Sequence, residues 1–196
     1  MNWREPPLDL LAAGAAGVLV VVAAVAGIVL LRRYRARRAL LARIEAVAAA
    51  HLQDVLLPDG NGGSFHIDFL LLTAAGIVVV DLRDVAGLIF GSEQMTDWAV
   101  MHKNRRYTFL NPLGPLYDRM AAVRAIAGAG VPVDGRVVFT DRGSFPKGHP
   151  RPVIRLASLA SELPARGAGG EAVTARFRPA WDRLCAASSP SPLHRR

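Results

Sequence analysis

A long apolar segment near the N-terminus constrains this chain more than any other feature. Between Leu8 and Leu31 the only charged residue is Asp9, and Ala, Val, Leu, Gly and Ile make up the rest. The run exceeds the about 20 residues that a helix needs to span about 30 Å of hydrocarbon. Backbone polar groups in that layer must be satisfied within the segment, which requires a helix. The sequence therefore predicts one transmembrane helix at about 8–31, within an N-terminal segment 1–34.

The charges that flank this segment predict its orientation. Five arginines follow it within the range Arg32–Arg38, whereas the preceding residues carry charges of both signs. The positive-inside rule places the side that follows in the cytoplasm, which predicts a single-pass protein of the inner (plasma) membrane. A cleaved signal peptide fits less well, because it would have a basic start and a shorter apolar core. The arginines could also bind anionic lipid.

Composition sets weaker limits on partners and compartment. The chain carries 24 Lys and Arg against 16 Asp and Glu, a formal net charge of +8. This balance permits nucleic acid or anionic lipid as a partner. The single cysteine, Cys185, excludes an intramolecular disulfide and fits a reducing compartment.

Residues 35–164 are predicted to form the main domain. Arg35–Leu52 has helical spacing of apolar residues, and Phe65–Leu72 and Ile77–Arg83 are strand runs joined as a hairpin by residues 73–76. A helix at about 115–129 and further short strands follow. This order predicts an α/β (α+β) domain with a central mixed sheet flanked by helices. Residues 165–196 are expected to form a C-terminal helix and, from Ser188, a disordered tail.

Two acids within the predicted hairpin call for an explanation. If Leu72 pairs with Ile77, Asp68 lies opposite Asp81, and side chains opposite each other in an antiparallel pair are about 5 Å apart. The two carboxylates would then repel each other. Three explanations remain open: a divalent cation between the acids, an ion pair with Arg83 on the same face, or a shifted register.

A run of motifs in this domain is similar in order and spacing to one family. The motifs are His66-Ile67-Asp68, Gly76–Arg83, Gly87–Gly91, Trp98, Phe109–Leu113 and Val137–Phe139. Through them the stretch from about Glu45 to Leu163 resembles the NERD, or nuclease-related, domain, which is similar to the PD-(D/E)xK nucleases. The resemblance implies a restriction-endonuclease-like sheet and nucleic acid as the substrate.

The resemblance also implies roles for particular residues. Asp68 and Asp81 would hold a metal, normally Mg²⁺, and Glu45 on the preceding helix would be a further acid of the site. Arg83 takes the place of the family's lysine, which positions the attacking water and stabilises the developing charge. The cation would act as a Lewis acid and help to generate hydroxide.

The sequence departs from the family pattern at three positions. Arg83 replaces a lysine, Ile44 a glycine, and Pro115 stands where a glutamine is usual. An arginine stabilises negative charge but does not serve as a base, and it can bind a carboxylate in the place of a metal. Two main hypotheses follow: a membrane-anchored, metal-dependent nuclease, or a degenerate fold that binds nucleic acid or protein without cutting it. A scaffolding protein whose basic segment contacts lipid is a third.

Two further features have functional and structural interpretations. Lys103, Arg105 and Arg106 precede Tyr107 in a basic run that could contact phosphates, although a solvated strand edge is the commoner case. His66 lies near the acids in sequence, but we interpret it as structural because the five histidines show no metal-ligand spacing.

Overall fold

The computed structural model describes residues 8–163 and 174–192, and for some residues of the first helix it describes the backbone alone. The chain divides into two compact units, Met1–Ala42 and Arg43–Arg196. Most side chains of the predicted membrane segment 8–31 lie outside the described residues, as do residues 1–7, 164–173 and 193–196. Within what is described, no helix combines the length and apolar character needed to cross a membrane.

The described chain contains four α-helices and ten strands. The helices are α1 (Leu8–Val47), α2 (Leu113–Ala127), α3 (Leu159–Glu162, after a 3-10 turn at Leu156–Ser158) and α4 (Arg178–Ala187). The strands are β1 (Ala50–Pro58), β2 (Ser64–Thr73), β3 (Gly76–Arg83), β4 (Gly87–Phe90), β5 (Asp97–His102), β6 (Arg105–Leu110), β7 (Val133–Phe139), β8 (Gly143–Ser144), β9 (Val153–Arg155) and β10 (Ser189–Pro190).

A six-stranded mixed sheet forms the centre of the second unit. Its strand order is β10-β1-β2-β3-β7-β9. β1, β2 and β3 are antiparallel neighbours, whereas β3, β7 and β9 run parallel. The prediction of a central mixed sheet flanked by helices is confirmed, and so is the hairpin of β2 and β3 with Leu72 paired to Ile77.

One face of this sheet packs against α2. The strand side chains on this face form one hydrophobic core with Leu116, Met120 and Val123 of α2. Trp181 and Leu184 of α4 belong to the same core. At Gly135 on β7, an added Cβ would collide with Met120 and Leu116, so this glycine allows the close approach of α2. Because both faces of the central strands are buried, a charged side chain among them needs a partner.

A second, four-stranded sheet has the order β6-β5-β4-β8. Trp98 packs on the inner face of this sheet. Its ring centroid lies 6.0 Å from that of Phe109 and 6.2 Å from that of Phe139 on β7. Trp98 is fully buried and belongs to the hydrophobic core. The sequence of β5 does not alternate between polar and apolar residues, because the outward-facing Ala99 and Met101 are apolar like the buried Trp98 and Val100, so this strand was not predicted.

Two segments differ from the sequence prediction: the end of α1 and the C-terminal tail. α1 ends at Val47 rather than Leu52, because Ala49 donates its N–H to the Leu72 carbonyl and the chain enters β1 at Ala50. The pairing with β2 thus overrides the helix propensity of an Ala-rich segment. Near the C-terminus, Ser189–Pro190 pairs with Val55 and Leu56 of β1, where a disordered tail was expected.

Candidate functional site

Three aspartates lie in a row across neighbouring strands of the six-stranded sheet. The pairs between β2 and β3 run from Thr73 with Gly76 to Phe69 with Val80, and one further step places Asp68 beside Asp81. On the other side of β2, Gln53 pairs with Phe69 and Val55 with Ile67, which places Asp54 beside Asp68. The predicted register is therefore present, and a shifted register does not separate the acids.

Asp81 is buried and is held by two arginines. Its side chain is 5% exposed, and its Oδ2 accepts a hydrogen bond from Arg83 Nη2 at 2.8 Å. Arg119 Nη1 lies 3.5 Å from the same oxygen. Of the three explanations for the paired acids, the ion pair with Arg83 is present, and it involves Asp81.

Arg119 is a site residue that the sequence reasoning missed. It lies on α2, four residues after Pro115, and its Nε donates a hydrogen bond to the His66 carbonyl at 2.7 Å. The side chain therefore connects β2 to Asp81 on β3. Its one signal in the sequence is its place beside Leu116 and Met120, at the margin of the helix face that is buried.

Asp68, unlike Asp81, is partly exposed. Its Oδ2 accepts a hydrogen bond from the Leu82 N–H at 2.7 Å, and its side chain is 27% exposed. Burial raises the pKa of Asp68, and the charge of Asp81 raises it further, while the Leu82 N–H and His66 act in the opposite direction. The ionised carboxylate is thus less stable here than in water, a state that a nearby cation would relieve.

His66 lies between the carboxylates of Asp54 and Asp68. Its Nε2 is 3.4 Å from Asp54 Oδ1, and its Nδ1 is 3.5 Å from Asp68 Oδ1. The Nε2 atom is buried but makes no hydrogen bond with acceptable geometry. One ligand atom from each of the three residues falls within 4.8 Å of the others, so together they could hold a metal ion.

The remaining predicted site residues lie elsewhere or are not described. The side chain of Glu45 lies outside the described residues. Lys103 is in the loop between β5 and β6, and Arg105 and Arg106 are the first residues of β6, so the basic run belongs to the four-stranded sheet. The structure therefore brings together Asp68, Asp81 and Arg83, while the basic run is on a different sheet.

Comparison with protein families matches residues 32–140, more than half of the chain, to the nuclease-related domain, NERD. The chain belongs to the NERD family. No curated protein and no solved structure matches it. The six-stranded sheet extends beyond the matched residues, because β9 and β10 both follow residue 140.

The donor set of Asp54, His66 and Asp68 fits a divalent cation. Carboxylate oxygens suit hard cations such as Mg²⁺, and an imidazole widens the choice to transition metals. The buried His66 Nε2 lacks a hydrogen-bond partner, and Asp68 lies in a setting that disfavours an unpaired negative charge. Asp81 Oδ2, in contrast, is already engaged by guanidinium groups.

Proposed function

We propose that this NERD protein hydrolyses phosphodiesters of nucleic acid with a divalent cation, from an anchor in the inner (plasma) membrane and on its cytoplasmic side. The observation that carries the proposal is the row of acids Asp54, Asp68 and Asp81 across β1, β2 and β3, beside two arginines. Ligands for a cation and donors for a phosphate are thereby combined in one place, as phosphodiester cleavage requires.

The residues of the site divide into two groups by their chemistry. Asp68 with its neighbouring acids would hold the cation, and Glu45 remains a proposed further acid of the site. A bound divalent cation would supply Lewis-acid stabilisation of phosphate charge and lower the pKa of water. Arg83 and Arg119 would stabilise the negative charge that develops on the phosphate, since a guanidinium fork matches phosphate oxygens. Arg83 is 37% exposed and therefore accessible to a substrate.

The substrate class is proposed from the family and from the basic run. Lys103, Arg105 and Arg106 are exposed on the β5–β6 hairpin. We assign these residues to sequence-independent contacts with phosphates. Removing each such contact should reduce the slope of log affinity against log salt by about 1.

A cleavage assay with the full chain in detergent micelles tests the proposal. The substrates would be single-stranded DNA, duplex DNA and RNA, each incubated with Mg²⁺, with Mn²⁺ or with a chelator. We expect cation-dependent cleavage that falls at least about a hundredfold in Asp68→Asn, because several kcal/mol of charge stabilisation are lost. Asp97→Asn, an exposed acid on β5, is the matched control and should retain activity. Absence of cleavage with every substrate and cation would contradict the proposal.

The second candidate function is a domain that binds nucleic acid or protein without cutting it. The ion pairs of Asp81 with Arg83 and Arg119 favour it, because guanidinium groups already engage an oxygen that the family pattern gives to the metal. This function predicts nucleic-acid binding with a steep salt dependence and unchanged by a chelator. Cation-dependent cleavage would exclude it.

The proposed anchor rests on the apolar run and the arginines that follow it. The described part of α1 between residues 22 and 31 exposes large apolar side chains, among them Val25, Ile28 and Leu30. An exposed apolar helix is what a lipid environment would cover. Arg32–Arg38 would lie at the cytoplasmic surface, where anionic headgroups attract arginine. The protein should stay in the membrane pellet after alkaline extraction, and release into the supernatant would contradict the anchor.

A further inference from the structure

The donor atoms around His66 differ from the metal pair that the family pattern implies. That pair would be two carboxylates, Asp68 on β2 and Asp81 on β3. In this chain Asp54, His66 and Asp68, on β1 and β2, form a group of three donors whose ligand atoms all lie within 4.8 Å of one another, while Asp68 also interacts with Asp81. The cluster is therefore displaced by one strand, and it contains a nitrogen ligand.

The neighbouring charges make Asp81 the poorer ligand. Its Oδ2 is 2.8 Å from Arg83 Nη2 and also faces Arg119, so a cation there would meet two positive side chains. On the other side of Asp68, His66 Nε2 is buried without a hydrogen-bond partner and faces Asp54 Oδ1. A neutral imidazole nitrogen is a good metal ligand and carries no repelling charge.

The backbone around Asp54 is restrained by its conformation and by a contact with the C-terminal segment. Asp54 adopts φ 51°, a left-handed conformation that side-chain-bearing residues rarely take, in the middle of β1. Its carbonyl accepts a hydrogen bond from the Ser191 N–H at 2.9 Å, next to the pairing of β10 with β1. The C-terminal segment thus restrains the strand that carries the carboxylate.

From these contacts we infer that Asp54, His66 and Asp68 form a metal site for a first-row transition-metal dication, such as Zn²⁺ or Mn²⁺, in preference to Mg²⁺. One imidazole and two carboxylates are a mixed nitrogen and oxygen donor set, whereas Mg²⁺ prefers oxygen ligands in near-octahedral geometry. The inference rests on the proposed cation dependence and changes both the ligands and the metal that the family pattern implies.

Metal binding by the full, untagged chain in detergent tests this site without any cleavage assay. After treatment with a chelator, the protein would be titrated with Co²⁺ and its visible absorption followed, with Zn²⁺ and Mg²⁺ as competitors. We expect one Co²⁺ to bind, to be displaced by Zn²⁺ and to be displaced poorly by Mg²⁺. In Asp54→Asn and in His66→Gln the affinity should fall at least about tenfold, since even outer-shell partners contribute that much.

Three variants serve as comparisons. Asp97→Asn and His102→Gln change an exposed acid and an exposed histidine of β5 and should leave Co²⁺ binding unchanged. Asp81→Asn separates the two arrangements: binding should persist in it if the triad holds the metal. Thermal melting of each variant would show that lost binding does not reflect unfolding, and Asp54→Asn at a partly exposed position is the variant least prone to unfold.

The outcomes distinguish this inference from the proposed function. Binding that is lost in Asp81→Asn but kept in Asp54→Asn would overturn the triad and leave a metal-dependent nuclease in place. The absence of Co²⁺ binding, or displacement by Mg²⁺ as effective as by Zn²⁺, would also overturn it. Binding with the expected pattern but no cleavage of any nucleic acid would support the triad and contradict the proposed nuclease.

Discussion

The two sheets of the domain place their charged residues in different settings. In the six-stranded sheet both faces of β3 are covered, and the buried Asp81 is matched by Arg83 and Arg119. In the four-stranded sheet β6 is an edge strand, and Arg105 and Arg106 are exposed. A charge on a covered strand costs free energy unless it is paired, whereas a charge on an open edge costs little. An acid in the first setting therefore indicates function far more strongly than a base in the second.

Packing rather than charge holds the four-stranded sheet, and Trp98→Ala should have the largest effect of the changes considered. Trp98 is fully buried, stacks on Phe139, and donates a hydrogen bond from Nε1 to the Ser92 carbonyl. Its truncation should lower the free energy of unfolding by about 3–5 kcal/mol. Chemical denaturation measures this. Leu110→Ala, on the same sheet but 72% exposed, should change stability by less than about 0.5 kcal/mol. Equal losses of stability in Trp98→Ala and Leu110→Ala would mean that Trp98 does not hold the two sheets together.

Arginines on the two sheets should differ clearly in their effect on stability. Arg119→Met removes one partner of Asp81 and the donor to the His66 carbonyl, and should cost about 1–3 kcal/mol. Arg106→Met, on the exposed edge strand, should stay within about 0.5 kcal/mol of the unchanged protein. Denaturation of both variants at neutral pH makes the measurement. If the two losses are the same, the ion pairs of Asp81 do not stabilise the fold.

The same contrast explains what the sequence could predict. Asp68 and Asp81 were identified because acids stand out in apolar strands, and the hairpin register followed from the position of its turn. Asp54 was not identified because the first part of its strand was predicted as a helix up to Leu52, and Arg119 was not identified because an arginine on a helix is common. Asp54 reaches the site through the pairing of β1 with β2, and Arg119 through the packing of α2 on the sheet. Both depend on contacts between segments distant in sequence, which local periodicity does not report.

The basic run shows a different limit of sequence-based prediction: residues that are close in sequence need not share one face of a strand. Lys103, Arg105 and Arg106 were grouped because they are close in sequence, but a strand turns successive side chains to opposite faces. Arg105 and Arg106 both lie in β6 and therefore point to different sides of the sheet. Arg105 and Arg106 would therefore contact phosphates from opposite faces of this edge strand.

Asp68 should cost stability at neutral pH, in contrast to the paired Asp81. Burial and the charge of Asp81 raise the pKa of Asp68. As the pH falls, Asp68 therefore takes up a proton at a higher pH in the folded state than in the unfolded state. Stability contributed by this group therefore falls as pH rises from the ordinary aspartate pKa, about 3.9, through the raised folded value. Asp68→Asn removes the charge and keeps an acceptor for the Leu82 N–H.

We therefore expect Asp68→Asn to raise the free energy of unfolding at pH 7 in the absence of metal, because burial and the charge of Asp81 disfavour the ionised carboxylate. The gain should shrink as the pH is lowered through the titration window, because the aspartate is then neutral as well. Denaturation at a series of pH values measures it, with Asp97→Asn as the control for loss of an exposed charge. A loss of stability in Asp68→Asn that persists at every pH would show that the carboxylate itself supports the fold.

The smallest expected effect concerns backbone strain, which each sheet carries at one residue. Among the described non-glycine residues, Lys103 has φ 54° and Asp54 has φ 51°. In the hairpin loop, Lys103→Gly relieves roughly 1 kcal/mol of left-handed strain and is opposed by about 0.5–1 kcal/mol of added chain entropy. The net gain should be a few tenths of a kcal/mol, and metal binding should be unchanged. Asp54→Gly exchanges the same two terms but also removes the carboxylate that faces His66 Nε2, so it should lose some stability as well as at least about tenfold in Co²⁺ affinity. If Co²⁺ binding is unchanged in both variants, the left-handed conformation of Asp54 is unrelated to metal binding. If only Asp54→Gly loses the metal, the strained aspartate is retained for its carboxylate.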